Sequence, residues 1–260
     1  MIRNEQSKQT EGLIKTAEPL PVLLLVLTIT TGLVDAVSFL GLGRVFTANM
    51  TGNVVFLGFA LGGAPGIAAT SSLAAIGAFV VGAVLGGRLG KHYAGEQLRK
   101  WFLTVAVIES ILFIGAGLIA LGFDIESHTT AFQLYSVIVL TAIAMGLRNS
   151  TVRQMNVKDL TTTVLTLTLT GIGADSSFAG GGNQNFARRI GSVILMFAGA
   201  GLGALLLYRS GGVSLPLFVC GGCVLIVTLI YAALPASQIR KEAEGAKTKS
   251  PPVFCSADDI

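Results

Sequence analysis

Eight apolar stretches divide the chain, at approximately Leu20 to Leu42, Val45 to Gly62, Ala68 to Leu89, Trp101 to Phe123, Thr130 to Leu147, Leu160 to Gly173, Ala187 to Tyr208 and Val213 to Ala233. A helix needs roughly 20 mainly apolar residues to cross about 30 Å of hydrocarbon, and at least six of the stretches are long enough. Hydrophobic residues make up 52% of the chain and charged ones only 12%, well under the share of about a quarter usual in soluble domains. With a mean hydropathy of +0.73, the sequence implies an all-α polytopic membrane protein and excludes a soluble globular fold.

Residues 1 to 18 are polar and carry Arg3, Lys8 and Lys15. The apolar run behind them is too long for a signal peptide and lacks a small-residue cleavage signature, so it is expected to remain as the first span. From about Gln238 the chain mixes Arg240, Lys241, Glu242, Glu244, Lys247 and Lys249 with Pro251-Pro252, a composition too polar to bury a core. The expected organisation is a cytoplasmic segment over 1–18, one transmembrane domain over 19–237 and a disordered cytoplasmic tail over 238–260. The net charge of +4 is spread over loops and tails without a basic helix or interleaved aromatics, which argues against a nucleic-acid partner. Cys220, Cys223 and Cys255 make no disulfide framework, and the redox compartment is not readable from them.

The second and sixth stretches are short and hold polar runs, Thr47-Ala48-Asn49-Met50-Thr51-Gly52-Asn53 and Thr161-Thr162-Thr163-Val164-Leu165-Thr166-Leu167-Thr168. Lysine and arginine in short loops belong on the cytoplasmic side. If all eight stretches crossed, Arg88, Lys91, Arg99 and Lys100 would lie outside with Arg148, Arg153 and Lys158, while Asp124 and Glu126 would lie inside. If the two short stretches are re-entrant or broken, all these signs reverse, both termini are cytoplasmic, and only Arg44 and Arg209 sit on the unfavoured side. The sequence therefore predicts six transmembrane helices.

A repeat at a spacing of roughly 114 residues aligns Gly32-Leu33 with Gly146-Leu147, Asp35 with Asn149, Ile76-Gly77 with Ile190-Gly191 and Gly87 with Gly201, and, after a slip of one residue, Thr51 with Thr166. Two inverted three-helix repeats follow, about 19–127 and about 128–237, each holding one short polar segment near the midplane, as in many secondary transporters.

Asp35 lies about two-thirds through the first span, where an ionisable group must face a cavity or a partner. It is a candidate for substrate binding and proton relay, or a structural carboxylate satisfied by Arg44, Thr31 or Ser38. Glu109 is a second candidate relay, or pairs with Arg88. In the first polar run Thr47, Asn49, Thr51, Gly52 and Asn53 offer donors, acceptors and close backbone approach to a solute. They serve equally to satisfy an irregular backbone. Thr162, Thr163 and Thr166 offer hydroxyls in the second run, or back-bond within a helix, and Asn149 occupies the position of Asp35. Arg148 reads as an anchor at the cytoplasmic boundary. Small residues at Ala74, Ala78, Gly82, Gly86 and Gly90, echoed by Gly199 and Gly203, form a helix-packing ladder. Cys220-Gly221-Gly222-Cys223 lies in an apolar span with no His or acid to complete a metal site. With no nucleophile-base set, phosphate loop or HExxH motif, no catalytic residue, cofactor or metal is expected, and the chain is not expected to be an enzyme.

The stretch Gly32-Leu33-Val34-Asp35-Ala36-Val37-Ser38-Phe39, with Val45-Phe46-Thr47-Ala48-Asn49-Met50-Thr51-Gly52-Asn53, resembles the opening signature of the YoaK-like family of bacterial multi-pass membrane proteins. Gly146-Leu147-Arg148-Asn149 and Thr162-Thr163-Val164-Leu165-Thr166 resemble its second signature. The sequence departs at Leu167, where that family usually has Gly, and at Ser150, where it usually has Ala. The resemblance covers nearly the whole membrane region and implies a bacterial plasma-membrane protein, and no biochemical activity. Gly87-Arg88-Leu89-Gly90-Lys91-His92 is similar to a loop motif of major facilitator transporters, without the acid expected at Gly87.

The function expected from these features is transport of a small polar or ionic solute, coupled to protons through Asp35, with the two polar segments meeting at the repeat interface. The partners are then the lipid bilayer, the solute and, since six spans make half a facilitator, a second copy of the chain in a dimer. The competing expectation is a non-transporting scaffold or partner subunit that uses the small-residue ladder as its active surface.

Overall fold

The computed structural model describes residues 19–93, 98–123, 130–155, 165–183 and 185–234. They form eight α-helices: α1 (Pro19–Gly41), α2 (Met50–Leu61), α3 (Ala69–His92), α4 (Leu98–Ile119), α5 (Ala131–Met155), α6 (Leu165–Ala174), α7 (Phe186–Ser210) and α8 (Ser214–Ala233), with a 3-10 turn at Ser177–Ala179. No strand occurs among the described residues. Six helices, α1, α3, α4, α5, α7 and α8, are long and apolar enough to cross a membrane. The 12 residues of α2 and the 10 of α6 rise only about 18 and 15 Å, too little to span.

Local chemistry sets several ends. Pro19 and Pro21 open α1 and Pro216 lies in the first turn of α8, where the missing N–H has no partner to lose. Gly211 ends α7 in the left-handed region at φ 67°, its N–H donating to the Leu207 carbonyl, a conformation that suits a residue without Cβ. The fifth apolar stretch, expected to stop at Leu147, continues as helix to Met155. A hydropathy reading ends at Arg148, but the helix does not, because that charge is met inside the protein.

Helix directions follow from the close contacts. Gly32 abuts the Met196 carbonyl and Ala200, Gly199 abuts Ile29, and Gly203 abuts Leu33, so α1 and α7 run parallel. Gly146 abuts the Phe79 carbonyl and Ala83, Gly82 abuts Ile143, and Gly86 abuts Leu147, so α3 and α5 are parallel too. The α4 and α8 pair is antiparallel: Phe102 stacks edge-on to Tyr231 at 4.8 Å, Ser110 Oγ donates to the Gly221 carbonyl at 2.8 Å, and Gly117 faces Phe218. On α5, Gln133 reaches the Ile119 carbonyl while Arg148 meets Glu109, which makes α4 and α5 antiparallel. Cys220 near Thr30 and Val213 near Gly41 do the same for α1 and α8. Hence α1, α4 and α7 run one way and α3, α5 and α8 the other. Each of α2 and α6 lies between two spans that end and begin at the same face, which agrees with six spans.

Gly32 and Gly146, 114 apart, each abut a carbonyl of a neighbouring helix, as do Gly82 and Gly199, and Gly86 and Gly203, at 117 apart. Gly77, Gly191 and Gly201, aligned at 114, face open space. A packing glycine and a surface glycine look alike in an apolar sequence; only the neighbouring helix tells them apart. The ladder Gly82, Gly86 and Gly90 is consumed inside the chain, against α5 and its Gln154. Around the core of Leu24, Val34, Phe113, Met145 and Leu217, large side chains such as Val80, Ile111, Phe197 and Ile226 are exposed, a surface made for lipid rather than water.

Candidate functional site

The first polar run folds onto the end of α1. Asp35 lies six residues, about 9 Å, from the last residue of α1, and its Oδ1 accepts the Ala48 N–H at 2.9 Å. The amides of Asn49 and Thr47 also point at this carboxylate. A carboxylate thus fills the anion-binding position at the start of α2, which the peptide dipoles favour. Arg44, Thr31 and Ser38 do not satisfy it as the sequence reading allowed: Ser38 donates to the Asp35 carbonyl, Thr31 to the Leu27 carbonyl, and Arg44 lies over Gly66.

Asn53 is fully buried and behaves like a strand partner for Phe46. Its Oδ1 accepts the Phe46 N–H at 2.9 Å, and its Nδ2 donates to the Phe46 carbonyl at 2.6 Å. Asn49 caps α2 through a long contact, 3.4 Å, from the Gly52 N–H. A Cβ on Gly52 would strike the Phe46 ring, and that ring stacks between Phe39 at 5.1 Å and Phe56 at 5.6 Å. Thr51 is exposed; the Thr47 hydroxyl is buried and has no hydrogen-bond partner. Four of the predicted residues, Asp35, Asn49, Gly52 and Asn53, are therefore brought together as the fastening of a loop.

The second run is only partly described. Thr162 and Thr163 lie outside the described residues. Thr166 is exposed, and its carbonyl accepts the Thr170 hydroxyl. Thr168 is the buried residue of α6. Asn149 donates to the Met145 carbonyl at 2.7 Å. Among the described residues α2 packs on α3 and α6 on α7, with no comparable packing between α2 and α6, and the part of the second run before Leu165 lies outside the described residues. Arg189, which sequence reasoning passed over, ties α6 to α7 by donating to the Gly171 carbonyl and pairing with Asp175, both at 2.6 Å.

The densest chemistry lies elsewhere, midway along α4. Glu109 pairs with Arg148 of α5 rather than with Arg88, and both side chains are 2% exposed. Arg148 is therefore no boundary anchor. Its Nη1 donates to the Leu27 carbonyl at 2.9 Å and to Thr31 Oγ1 at 3.1 Å, pinning α5 to α1. Glu109 Oε1 and Arg148 Nη2 are in direct contact as an ion pair, while Arg148 Nε and, one turn along α5, Thr151 Oγ1 have no hydrogen-bond partner. A small cavity among Leu24, Leu27, Phe102, Val152 and these three residues lies beside them, and the surface it presents is apolar. A recognisable signal was present in the sequence, Arg148 and Thr151 being three apart on one helix face. Their acidic partner is 39 residues away, beyond any local pattern.

The profile of the family described as "Protein of unknown function (DUF1275)" matches residues 23–230. The chain belongs to this family. The DUF1275 match takes in all eight helices almost entirely, and with them both the Asp35 loop and the Glu109–Arg148 pair. The UPF0700 transmembrane protein YoaK of Bacillus subtilis (strain 168) is 36% identical over 159 residues, 60% of this chain and 66% of that protein. The chain thus spans just under two thirds of the length of that relative. No solved structure matches at comparable significance. The YoaK-like resemblance of the two signatures is thereby sustained, and with it a multi-pass membrane protein of the DUF1275 family.

Proposed function

We infer that this DUF1275 chain transports a small polar or ionic solute through two inverted three-helix repeats, in which α2 and α6 are re-entrant segments. The observation that carries the reading is the buried Glu109–Arg148 ion pair in the middle of the bundle. Ionisable groups in spanning helices are costly and mark ion or substrate paths. The matched seating of Gly32 with Gly146, Gly82 with Gly199 and Gly86 with Gly203 supports the repeats, and opposed directions of α1 and α5, α3 and α7, α4 and α8 support their inversion.

In this reading Asp35 is a positioning residue that holds the start of α2, while Glu109 is the proton-carrying group. The Asp35 loop and its counterpart at Asn149 act as gates that move with their repeats. Alternating access would come from rocking of one repeat, α1 to α4, against the other, α5 to α8. Basic residues at the C-terminal ends of α3 and α5 and the start of α4, among them Arg88, Lys91, Lys100 and Arg153, favour a cytoplasmic location for that face and for both termini in a bacterial plasma membrane. The scaffold alternative loses its proposed surface, because the glycine ladder is covered by α5. The test is solute-driven current or pH change in proteoliposomes holding the full chain, across a panel of small anions, cations and neutral polar solutes. At least one should move faster than through empty vesicles and stop doing so in Glu109→Gln. Failure of every solute to move overturns transport.

A further inference from the structure

Between α1 and α2 the chain turns back on a hinge that is held rather than relaxed. Gly43 and Arg44 follow one another in the left-handed region, at φ 82° and 59°, and a residue with a Cβ keeps that conformation only where its surroundings impose it. Two clasps do so. Asn53 holds both the N–H and the carbonyl of Phe46. Asp35 holds the next turn, its Oδ1 accepting the Ala48 N–H at 2.9 Å with the Thr47 and Asn49 amides aimed at the same carboxylate. The turn has little else to keep it in place: the buried Thr47 hydroxyl has no hydrogen-bond partner, and the Asn49 cap is long at 3.4 Å.

The clasps differ in kind. The Asn53 amide is neutral at every pH, whereas the grip of Asp35 rests on charge, since N–H bonds to a carboxylate are about twice as strong as those between neutral groups. A proton from the aqueous phase that forms an O–H bond on Asp35 removes that charge, and no other covalent bond forms or breaks. The charged groups around it do not compensate. Asp35 is the one acid or base of α1, and α2 has none. Alongside, α7 turns Gly203 and Leu207 toward this end of α1, and its basic residues lie at its two ends, Arg188 and Arg189 at the start and Arg209 in the last turn. From α8, Cys220 sits lower, at Thr30. Arg148 of α5 is held at Leu27 and Thr31 and paired with Glu109 of α4. Arg44, in the hinge itself, lies over Gly66. The other short helix is fastened differently: α6 is tied by Arg189 donating to the Gly171 carbonyl at 2.6 Å, and a guanidinium keeps its charge throughout the physiological range.

We propose that Asp35 is a proton-operated latch: ionised, it holds the turn at residues 47–49 and the start of α2 against α1; protonated, it lets them go while α6 stays fastened. This deepens the transport reading and rests on it only for the use of the latch, as the gate on the face opposite Lys91. The proton is taken up and returned at that face, so it is distinct from the one that Glu109 carries.

Hydrogen exchange of the full-length protein in detergent, from about pH 8 to about pH 5 and corrected for the intrinsic pH dependence of exchange, reads the latch directly. Protection of the amides of residues 47–49 should fall at least about tenfold toward low pH, the scale of losing one charge-assisted bond, while that of residues 169–175 at the end of α6 holds. Asp35→Asn, which cannot ionise, should show the loosened turn at every pH. Asn53→Leu should lower protection throughout but keep the pH step, which separates the loss of a clasp from the loss of the latch. The wild-type profile decides even where a variant does not fold. A flat wild-type profile, an equal step at the end of α6, or a step that survives in Asp35→Asn overturns the latch. A step in protein that moves no solute in proteoliposomes keeps the latch and overturns transport; flux through protein that shows no step does the reverse.

Discussion

Asn53 and Asp35 solve the same problem by different means, since both give an irregular backbone inside the membrane the partners it would otherwise lack. Asn53 matches the N–H and C=O of Phe46 as a neighbouring strand would. Asn53→Leu therefore strands two backbone groups and should cost about 2–4 kcal/mol, seen as a lowered midpoint of thermal unfolding in detergent, whereas an effect on transport without loss of stability would make Asn53 a ligand. Asp35→Asn should be milder, about 1.5–3 kcal/mol, the worth of bonds to a charged acceptor.

The ion pair behaves differently. Arg148→Met alone abandons a buried carboxylate and should cost about 3–5 kcal/mol, while Arg148→Met with Glu109→Leu should recover most of it, a double-mutant cycle read in unfolding midpoints. At this scale the sequence was half legible. Asp35 and Asn53 stood out because polar residues in apolar runs are conspicuous, but conspicuousness does not say whether a side chain faces a solute or its own backbone. Arg148 was misplaced because a charge near the end of an apolar run looks like the run's boundary. Thr151 and Thr168 resembled the many threonines that merely bond back within a helix, as Thr28, Thr141 and Thr228 do here.

Two helix pairs carry the scaffold, α1 with α7 and α3 with α5, and each is seated on glycines that let backbones touch. Small residues are the usual means of close packing where lipid removes the hydrophobic drive between helices. A Cβ at Gly32 would collide with the Met196 carbonyl, and one at Gly146 with the Phe79 carbonyl. Gly32→Ala and Gly146→Ala should destabilise to a similar extent, about 1–3 kcal/mol for an overpacked contact. Gly77→Ala and Gly201→Ala, which face open space, should be neutral or gain up to about 1 kcal/mol of helix propensity. Gly82→Ala and Gly199→Ala, whose Cβ atoms would strike the Ile143 and Ile29 carbonyls, should lose stability as Gly32→Ala and Gly146→Ala do, read as midpoints of thermal unfolding. Existence, type and approximate length of the elements were legible, since span length and apolarity are properties of one segment. The register was not, because it is a property of two segments in contact.

The whole molecule turns on whether α2 and α6 return to the face they came from. Parallel packing of α1 with α7 and of α3 with α5, and antiparallel packing of α4 with α5 and α8, leave one consistent set of directions. That set asks the face bearing Lys91 to be opposite to the face bearing Gly63. Eight crossings would ask the same, but with both faces exchanged relative to the cell, so sidedness against the cytoplasm is the discriminating quantity. Loop charge predicts it, since lysines and arginines outside the spans record orientation even where polar segments hide the number of crossings. Removal of Cys220, Cys223 and Cys255 gives a background for single cysteines at Gly63, Lys91 and Gly212. An impermeant maleimide on intact cells should label Gly63→Cys and Gly212→Cys at once and Lys91→Cys only after permeabilisation. Gly212 lies outside under either count and serves as the control. Labelling of Lys91→Cys with protection of Gly63→Cys would make α2 and α6 crossings, undo the inversion of the repeats, and remove the reason for treating the Asp35 loop and its counterpart as gates on opposite faces.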